Sequence, residues 1–160
     1  MIIVRPEMDK DNEAISSVID SAVATLRKTY RPTQRAIEHK TTKNLNLQRL
    51  VAIIDDRVAG SVQYCFANHC VSIIGLDVHA DYRKKGVARS LICRIKQIGI
   101  KEKARCLKLH TIKETGNVKI FRRLGFKVVS EQPDDFFESD KFDTLTDVEM
   151  ILALPHNKQE

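Results

Sequence analysis

The chain has 160 residues, 42% hydrophobic and 30% charged, with 27 Lys and Arg against 21 Asp and Glu for a formal charge of +6. That length suits a single α/β domain spanning residues 1–160, and the composition excludes a disordered chain. No apolar run approaches the roughly 18 residues needed to cross a bilayer, and Met1 to Pro6 does not open a basic leader followed by a long apolar stretch, so neither a membrane span nor a secretory signal is expected.

Ile2 to Arg5 reads as a short strand that Pro6 closes. Ile15, Val18, Ile19, Ala22, Val23 and Leu26 then recur at helical spacing, with Asp9 or Asp11 as candidate caps. Pro32 breaks that pattern, and a second, weaker helix is expected up to about Lys43. Three strands follow, Leu50 to Ile54, Val58 to Phe66 and Cys70 to Val78. The short polar turns between them predict an antiparallel meander. Gly75 lies inside the third strand, a position that signals a bulge or a close backbone approach.

Gly86 to about Lys101 is predicted helical, with Leu91, Ile92, Ile95 and Ile98 on its buried side. Leu107, Leu109 and Thr111 alternate with Lys108 and His110, as in a strand. Thr115 is a plausible N-cap for a short helix carrying Val118, Phe121 and Leu124, and Gly125 suits the residue that ends it. Phe126 to Val129 and Val148 to Leu154 are the last strands, separated by an acidic, phenylalanine-bearing excursion from Asp134 to Thr144.

The four cysteines, Cys65, Cys70, Cys93 and Cys106, have no C-x-x-C spacing, so neither a metal nor a redox motif is indicated. Each lies in an apolar stretch, where a free thiol packs as a small hydrophobe, and reduced thiols in a cytoplasmic protein are the expectation. The positive charge admits nucleic acid as a partner. With no Trp and only three Tyr the chain lacks the stacking platforms of a single-strand binder, and no nucleic-acid partner is expected.

The chemistry is concentrated between Leu76 and Leu91, where a strand runs through a basic loop into a helix. The first turn of a helix carries unpaired N–H groups and the positive end of the dipole, and so attracts anions. Gly86 and Ala88 keep side chains out of the way, and Arg83, Lys84, Lys85 and Arg89 supply charge, which together describe a site for a pyrophosphate. Neither G-x-x-x-x-G-K-[ST] nor G-x-G-x-x-G is present, so a P-loop and a dinucleotide fold are unsupported.

Arg83-Lys84-Lys85-Gly86-Val87-Ala88 resembles the R/Q-x-x-G-x-G/A signature of the GNAT superfamily, the acyl-CoA-dependent N-acetyltransferases. Val78-His79-Ala80-Asp81-Tyr82 resembles the V-x-P-x-Y-R that precedes it, with Ala80 for proline, and Glu114 to Phe126 resembles the family's later helix with its Leu-Gly-Phe ending. The resemblance implies a mixed, mostly antiparallel α/β fold of about seven strands and four helices. It implies acetyl-CoA as co-substrate and a primary amine of a small molecule or peptide as acceptor, attacked directly without a covalent enzyme intermediate. The backbone of Leu76, Asp77 and Val78 would pair with pantetheine, amides from Lys84 to Arg89, including Val87, would hold the diphosphate, and an N–H near Val78 would stabilise the oxyanion.

Asn117 and Phe121 are further candidates for cofactor contact. Phe121 occupies the position where the family often places a proton-donating tyrosine, and phenylalanine has no proton to give. That substitution leaves a non-catalytic acyl-CoA sensor as the alternative. For a general base the sequence offers Glu114, Asp77 and His110 without choosing among them, and His79 reads as a surface residue. No metal is implied. Acceptor choice is assigned to the Thr29 to Asn46 region and the Asp134 to Thr144 excursion, and monomer or homodimer is left open.

Overall fold

The computed structural model describes residues 1–38 and 46–155. Its strands are β1 (Ile3–Pro6), β2 (Arg31–Pro32), β3 (Gln48–Ile54), β4 (Arg57–Ala67), β5 (Cys70–Val78), β6 (Cys106–Ile112), β7 (Lys127–Asp134), β8 (Phe137–Glu138) and β9 (Leu145–Ala153). Its α-helices are α1 (Asn12–Leu26), α2 (Gln34–Glu38), α3 (Val87–Lys101) and α4 (Asn117–Arg123). α2 covers part of the expected second helix, and residues 39–43 of that expectation lie outside the described residues.

Seven strands form one mixed sheet in the order β1-β3-β4-β5-β6-β9-β7. Every neighbouring pair is antiparallel except β5 and β6, which run parallel. The meander β3-β4-β5 follows from the two short turns, where Asp55, Asp56, Asn68 and His69 all adopt positive φ, a conformation that Asn, Asp and His reach more readily than most residues. β2 and β8 form a separate two-stranded pair.

Alternation along the strands sorts the two faces of the sheet. Leu50, Ala52, Val62, Val71, Leu107, Leu109, Met150 and Leu152 join Val87, Leu91, Ile92 and Ile95 of α3 in one buried cluster. Burying a side chain of this size removes about 1.5–3 kcal/mol of exposure cost, so this face supplies most of the driving force. The opposite face receives α1 through Ile15 and Val18. Gly60 is needed where α3 meets the sheet. A Cβ there would stand 2.6 Å from Val87 Cγ1 and 2.9 Å from the Asp77 carbonyl oxygen.

Four local expectations are corrected. Cys70 and Cys106 are not free thiols. They face each other in the parallel β5–β6 register, with Cα atoms 4.8 Å apart, and form a disulfide. Of the remaining two, Cys65 is buried but Cys93 is exposed on α3, where the helical period turns it away from the sheet. Thr115 is not the N-cap of α4; Gly116, at φ +81°, holds that position because Lys113–Thr115 already form a 3-10 turn. Thr115 Oγ1 still accepts the Asn117 N–H at 3.2 Å. Asp11 occupies the N-cap position of α1 but its carboxylate does not cap the helix. It turns back to accept from both Arg5 guanidinium nitrogens, at 2.7 and 3.0 Å, and from the Met8 N–H at 2.8 Å. The Arg5 bond holds the buried Asp11 carboxyl below the usual carboxylate range and ties β1 to the start of α1.

Because Val87 and the β5 backbone leave no room at Gly60, we expect Gly60→Ala to lower unfolding stability by about 1–3 kcal/mol. Urea denaturation would show it as a lower midpoint at unchanged slope.

Candidate functional site

The parallel register of β5 and β6 lasts only three residues: Cys70↔Cys106, Val71↔Leu107 and Ser72↔Lys108. Beyond it Ile73 to Val78 and Leu109 to Ile112 have no partners across the gap, while each strand keeps its antiparallel neighbour on the other side. A bulge in β5 coincides with the parting. Gln63 pairs with Gly75 and Tyr64 with Ile73, so Ile74 is the extra residue. Such a bulge bends and twists its strand, and Ile74 is left half-exposed.

A cavity of about 330 Å³ occupies the gap. Its lining comes from both faces of the sheet. On the α3 face it meets Asn117 and Phe121 of α4; on the α1 face it meets Tyr30, Phe137, His110 and Asp147, and Gly75, Leu76 and Asp77 form its β5 wall. The opening leaves backbone groups of both strands free to pair with an extended ligand, as an exposed strand edge does.

Below the mouth of the cavity β5 runs on through Ala80–Tyr82 into the basic loop and α3. Lys84 and Gly86 both adopt positive φ, at +61° and +84°. Gly86 is the N-cap, and the first intrahelical bond runs from Ser90 N–H to its carbonyl. The amides of Val87, Ala88 and Arg89 are therefore left without helical acceptors. A Cβ on Gly86 would meet only Ile2 Cδ1, at 3.9 Å, so backbone conformation rather than crowding selects glycine here.

The four cations are not disposed alike. Lys84 and Lys85 are exposed, with the Lys85 ammonium 5.5 Å from the centre of the Tyr82 ring. The Arg83 guanidinium donates to Thr25 Oγ1 of α1 at 2.7 Å, and that of Arg89 donates to the Arg123 carbonyl at the end of α4 at 3.3 Å. These two arginines brace the loop between helices. Together with the free amides the loop still fits a doubly charged diphosphate, and the parted strands fit a slender arm leading from it.

The three candidate bases separate. Asp77 projects from the face of β5 opposite Leu76 and Val78, which pack toward α3. It lines the cavity, and burial pushes its carboxyl above the usual range against a smaller opposing pull from Arg49. His110 lines the cavity from β6, its Nδ1 2.8 Å from Asp147 Oδ2 on β9. Glu114 lies in the turn after β6, outside the cavity lining, with Oε2 buried and unpartnered. Phe121 packs edge-on against Phe126, ring centres 6.1 Å apart.

Sequence reasoning missed Tyr30, Phe137 and Asp147. Tyr30 and Phe137 meet edge to face, 4.8 Å apart, because β2 pairs with β8. Arg31 secures that pair through Glu138 at 3.2 Å and Asp140 at 3.0 Å, and Thr33 N–H bonds the Phe136 carbonyl at 2.9 Å. Both belong to the two regions assigned to acceptor choice, but only a long-range contact joins them.

A larger cavity of about 780 Å³ lies between β1, the β3–β4 turn and α1. Its one buried charge among the described residues, Asp11, is already paired with the partly buried Arg5. Among the described residues no group of three or more His, Cys, Asp or Glu is arranged to hold a metal ion. No helix among them is long and apolar enough to cross a membrane.

Comparison with known proteins agrees with this fold. The model of the acetyltransferase (GNAT) family matches residues 15–126. The ribosomal-protein-S18-alanine N-acetyltransferase of Escherichia coli superposes with a TM-score of 0.77 at 13% identity, over 100% of this chain and 98% of that one. A GCN5-related N-acetyltransferase from Kribbella flavida gives 0.73 at 22% identity, over 96% and 98%. A putative streptothricin acetyltransferase from Bacillus anthracis, solved with acetyl coenzyme A, gives 0.71 at 14% identity, over 97% and 99%. At these identities the structural likeness shows the fold. No curated protein matches by sequence.

The raised carboxyl of Asp77 has a consequence for stability. A carboxyl raised in the folded state contributes stability below its unfolded value, 3.8, that is lost as pH rises through the folded one. Asp77→Asn should therefore melt higher than the parent at pH 7, with the difference closing below about pH 4. Thermal melts across that range check it; a difference independent of pH would contradict the assignment.

Proposed function

The chain belongs to the GNAT family of acetyltransferases, and on that premise we propose that it moves an acetyl group from acetyl-CoA to the primary amine of a small molecule or peptide by direct attack in a ternary complex. One observation carries this reading: the cavity between the parted strands β5 and β6 is lined from both faces of the sheet, which supports a donor arriving from the α3 face and an acceptor from the α1 face.

In this reading the amides of Val87, Ala88 and Arg89, with Lys84, Lys85 and Gly86, hold the diphosphate of coenzyme A. The backbone of Leu76, Asp77 and Val78 aligns the pantetheine arm, as the free edge of β5 allows. Bound there, acetyl-CoA supplies an activated acyl group. Asn117 and Phe121 wall the donor end, and Phe121 acts by packing. Asp77, on the acceptor face, draws in a cationic amine, and its desolvation strengthens that attraction. A backbone N–H near Val78 is the candidate donor to the oxyanion.

The second reading, an acyl-CoA sensor without turnover, is favoured by Phe121, which cannot protonate a leaving thiolate. A thiol with an ordinary pKa near ~8.5 leaves tolerably unaided, so we favour catalysis. Turnover against an amine panel separates the two.

Acetyl-CoA at about 100 times its dissociation constant should stabilise the fold by about 2.7 kcal/mol, read as an upward thermal shift. Gly86→Glu, which places a negative side chain at a positive-φ position among the free amides, should abolish that shift. Retention of the shift in the variant would overturn the diphosphate site.

A further inference from the structure

We propose that His110 is the catalytic base for the acceptor amine and that Asp147 is the residue that positions it. This rests on the acetyltransferase reading above and names a proton acceptor within it.

Strand register brings His110 and Asp147 together. β6 and β9 are antiparallel, with His110 opposite Glu149 and Ile112 opposite Asp147. Asp147 is thus one diagonal step from His110 on the same face, within reach of its ring. The 2.8 Å contact joins Nδ1 to Asp147 Oδ2. An ionised carboxylate only accepts, so the proton of the neutral ring resides on Nδ1. The lone pair is then on Nε2. That nitrogen lies 3.7 Å from Glu149 Oε2, beyond hydrogen-bond length, so that carboxylate does not occupy it.

The charged and titratable groups around the ring are few. Asp147 and Glu149 face it from β9, Lys108 on its own strand pairs with Glu149 at 3.6 Å, and Asp77 and the Tyr30 hydroxyl share its cavity from β5 and the segment after α1. The ring is half-exposed while lining that cavity, so a proton accepted inside has a route to water. Asp77 is the more deeply placed carboxyl and suits the ammonium as a counter-charge. Tyr30 and Phe137 offer an aromatic edge beside it.

The balance closes without any group that the reaction lacks. An ammonium acceptor gives one proton to His110 Nε2. The neutral amine forms the N–C bond to the acyl carbon, and the C–S bond breaks with its electron pair leaving on sulfur as thiolate. The second proton, now in excess on nitrogen, neutralises the thiolate, a route that needs nothing from Phe121. His110 then releases its proton to solvent.

Two measurements test this. The first needs neither acetyl-CoA nor turnover. Long-range 1H–15N NMR of the imidazoles, with His110 assigned by its loss in His110→Gln, should show the neutral ring protonated on Nδ1 in the parent chain and shifted toward the Nε2-protonated form in Asp147→Asn. A parent ring protonated on Nε2 would overturn the proposal.

The second uses acetyl-CoA with 2-phenylethylamine, which matches the carboxylate and aromatic edge of the acceptor end. His110→Gln should bind acetyl-CoA as the parent does and lose about 100-fold or more in kcat/KM at pH 7. The gap should narrow steadily as pH approaches the amine's own pKa near ~10, because a neutral acceptor needs no base. Asp147→Asn should show the same pH trend with a smaller loss. A gap that stays constant with pH would make His110 structural and sink the proposal. Acetyl-CoA binding without turnover of this amine by the parent would overturn the acceptor geometry used here, and loss of acetyl-CoA binding by the parent would overturn the acetyltransferase reading itself.

Discussion

The site depends on a pairing that stops. β5 and β6 are the only parallel neighbours among the described strands of the main sheet, and their register ends after Ser72 and Lys108. Continued pairing would have satisfied the backbone groups of Ile73 to Val78 against Leu109 to Ile112 and closed the sheet. Instead the Ile74 bulge bends β5 away, and the buried cost of unpaired groups is avoided because they line an open cavity. The Cys70–Cys106 disulfide and the Val71↔Leu107 pair hold the closed end of the gap, while α3 and α1, packed on opposite faces, keep the open end from collapsing.

Everything else in the site is arranged around that opening. Extending β5 through a tight loop delivers the free amides of α3 just beyond the gap. Close seating of α3 on Gly60 fixes their position, since Val87 is both the first residue of the helix and the side chain nearest the Cβ position of Gly60. On the other face the β2–β8 pair carries Tyr30 and Phe137 over the α1 end of the cavity. The two ends of the cavity are thereby built from different layers of the fold.

Much of this was legible in the sequence where the signals are local. The flanking turn residues bound β5 at both ends, Gly86 marks the start of α3, and Gly125, at φ +105°, ends α4. What was not legible depends on register between distant segments. The disulfide joins residues 36 apart in sequence and follows from a three-residue parallel pairing that no local pattern announces. The same holds for Asp147 beside His110 and for the two-residue strands that bring Tyr30 to Phe137. Asp11 was recognised as a helix-start residue, but its partner Arg5 comes from a neighbouring strand, and an ion pair with three hydrogen bonds outcompetes the cap.

In the proposed function the parted strands and the start of α3 together form the coenzyme A site. The most direct measurement is a backbone amide 1H–15N titration with coenzyme A. The largest shifts are expected at Lys85 to Arg89 and at Gly75 to Val78, with little change around Arg5 and Asp11. Shifts centred on the larger cavity beside β1 and α1, or none at the first turn of α3, would contradict it.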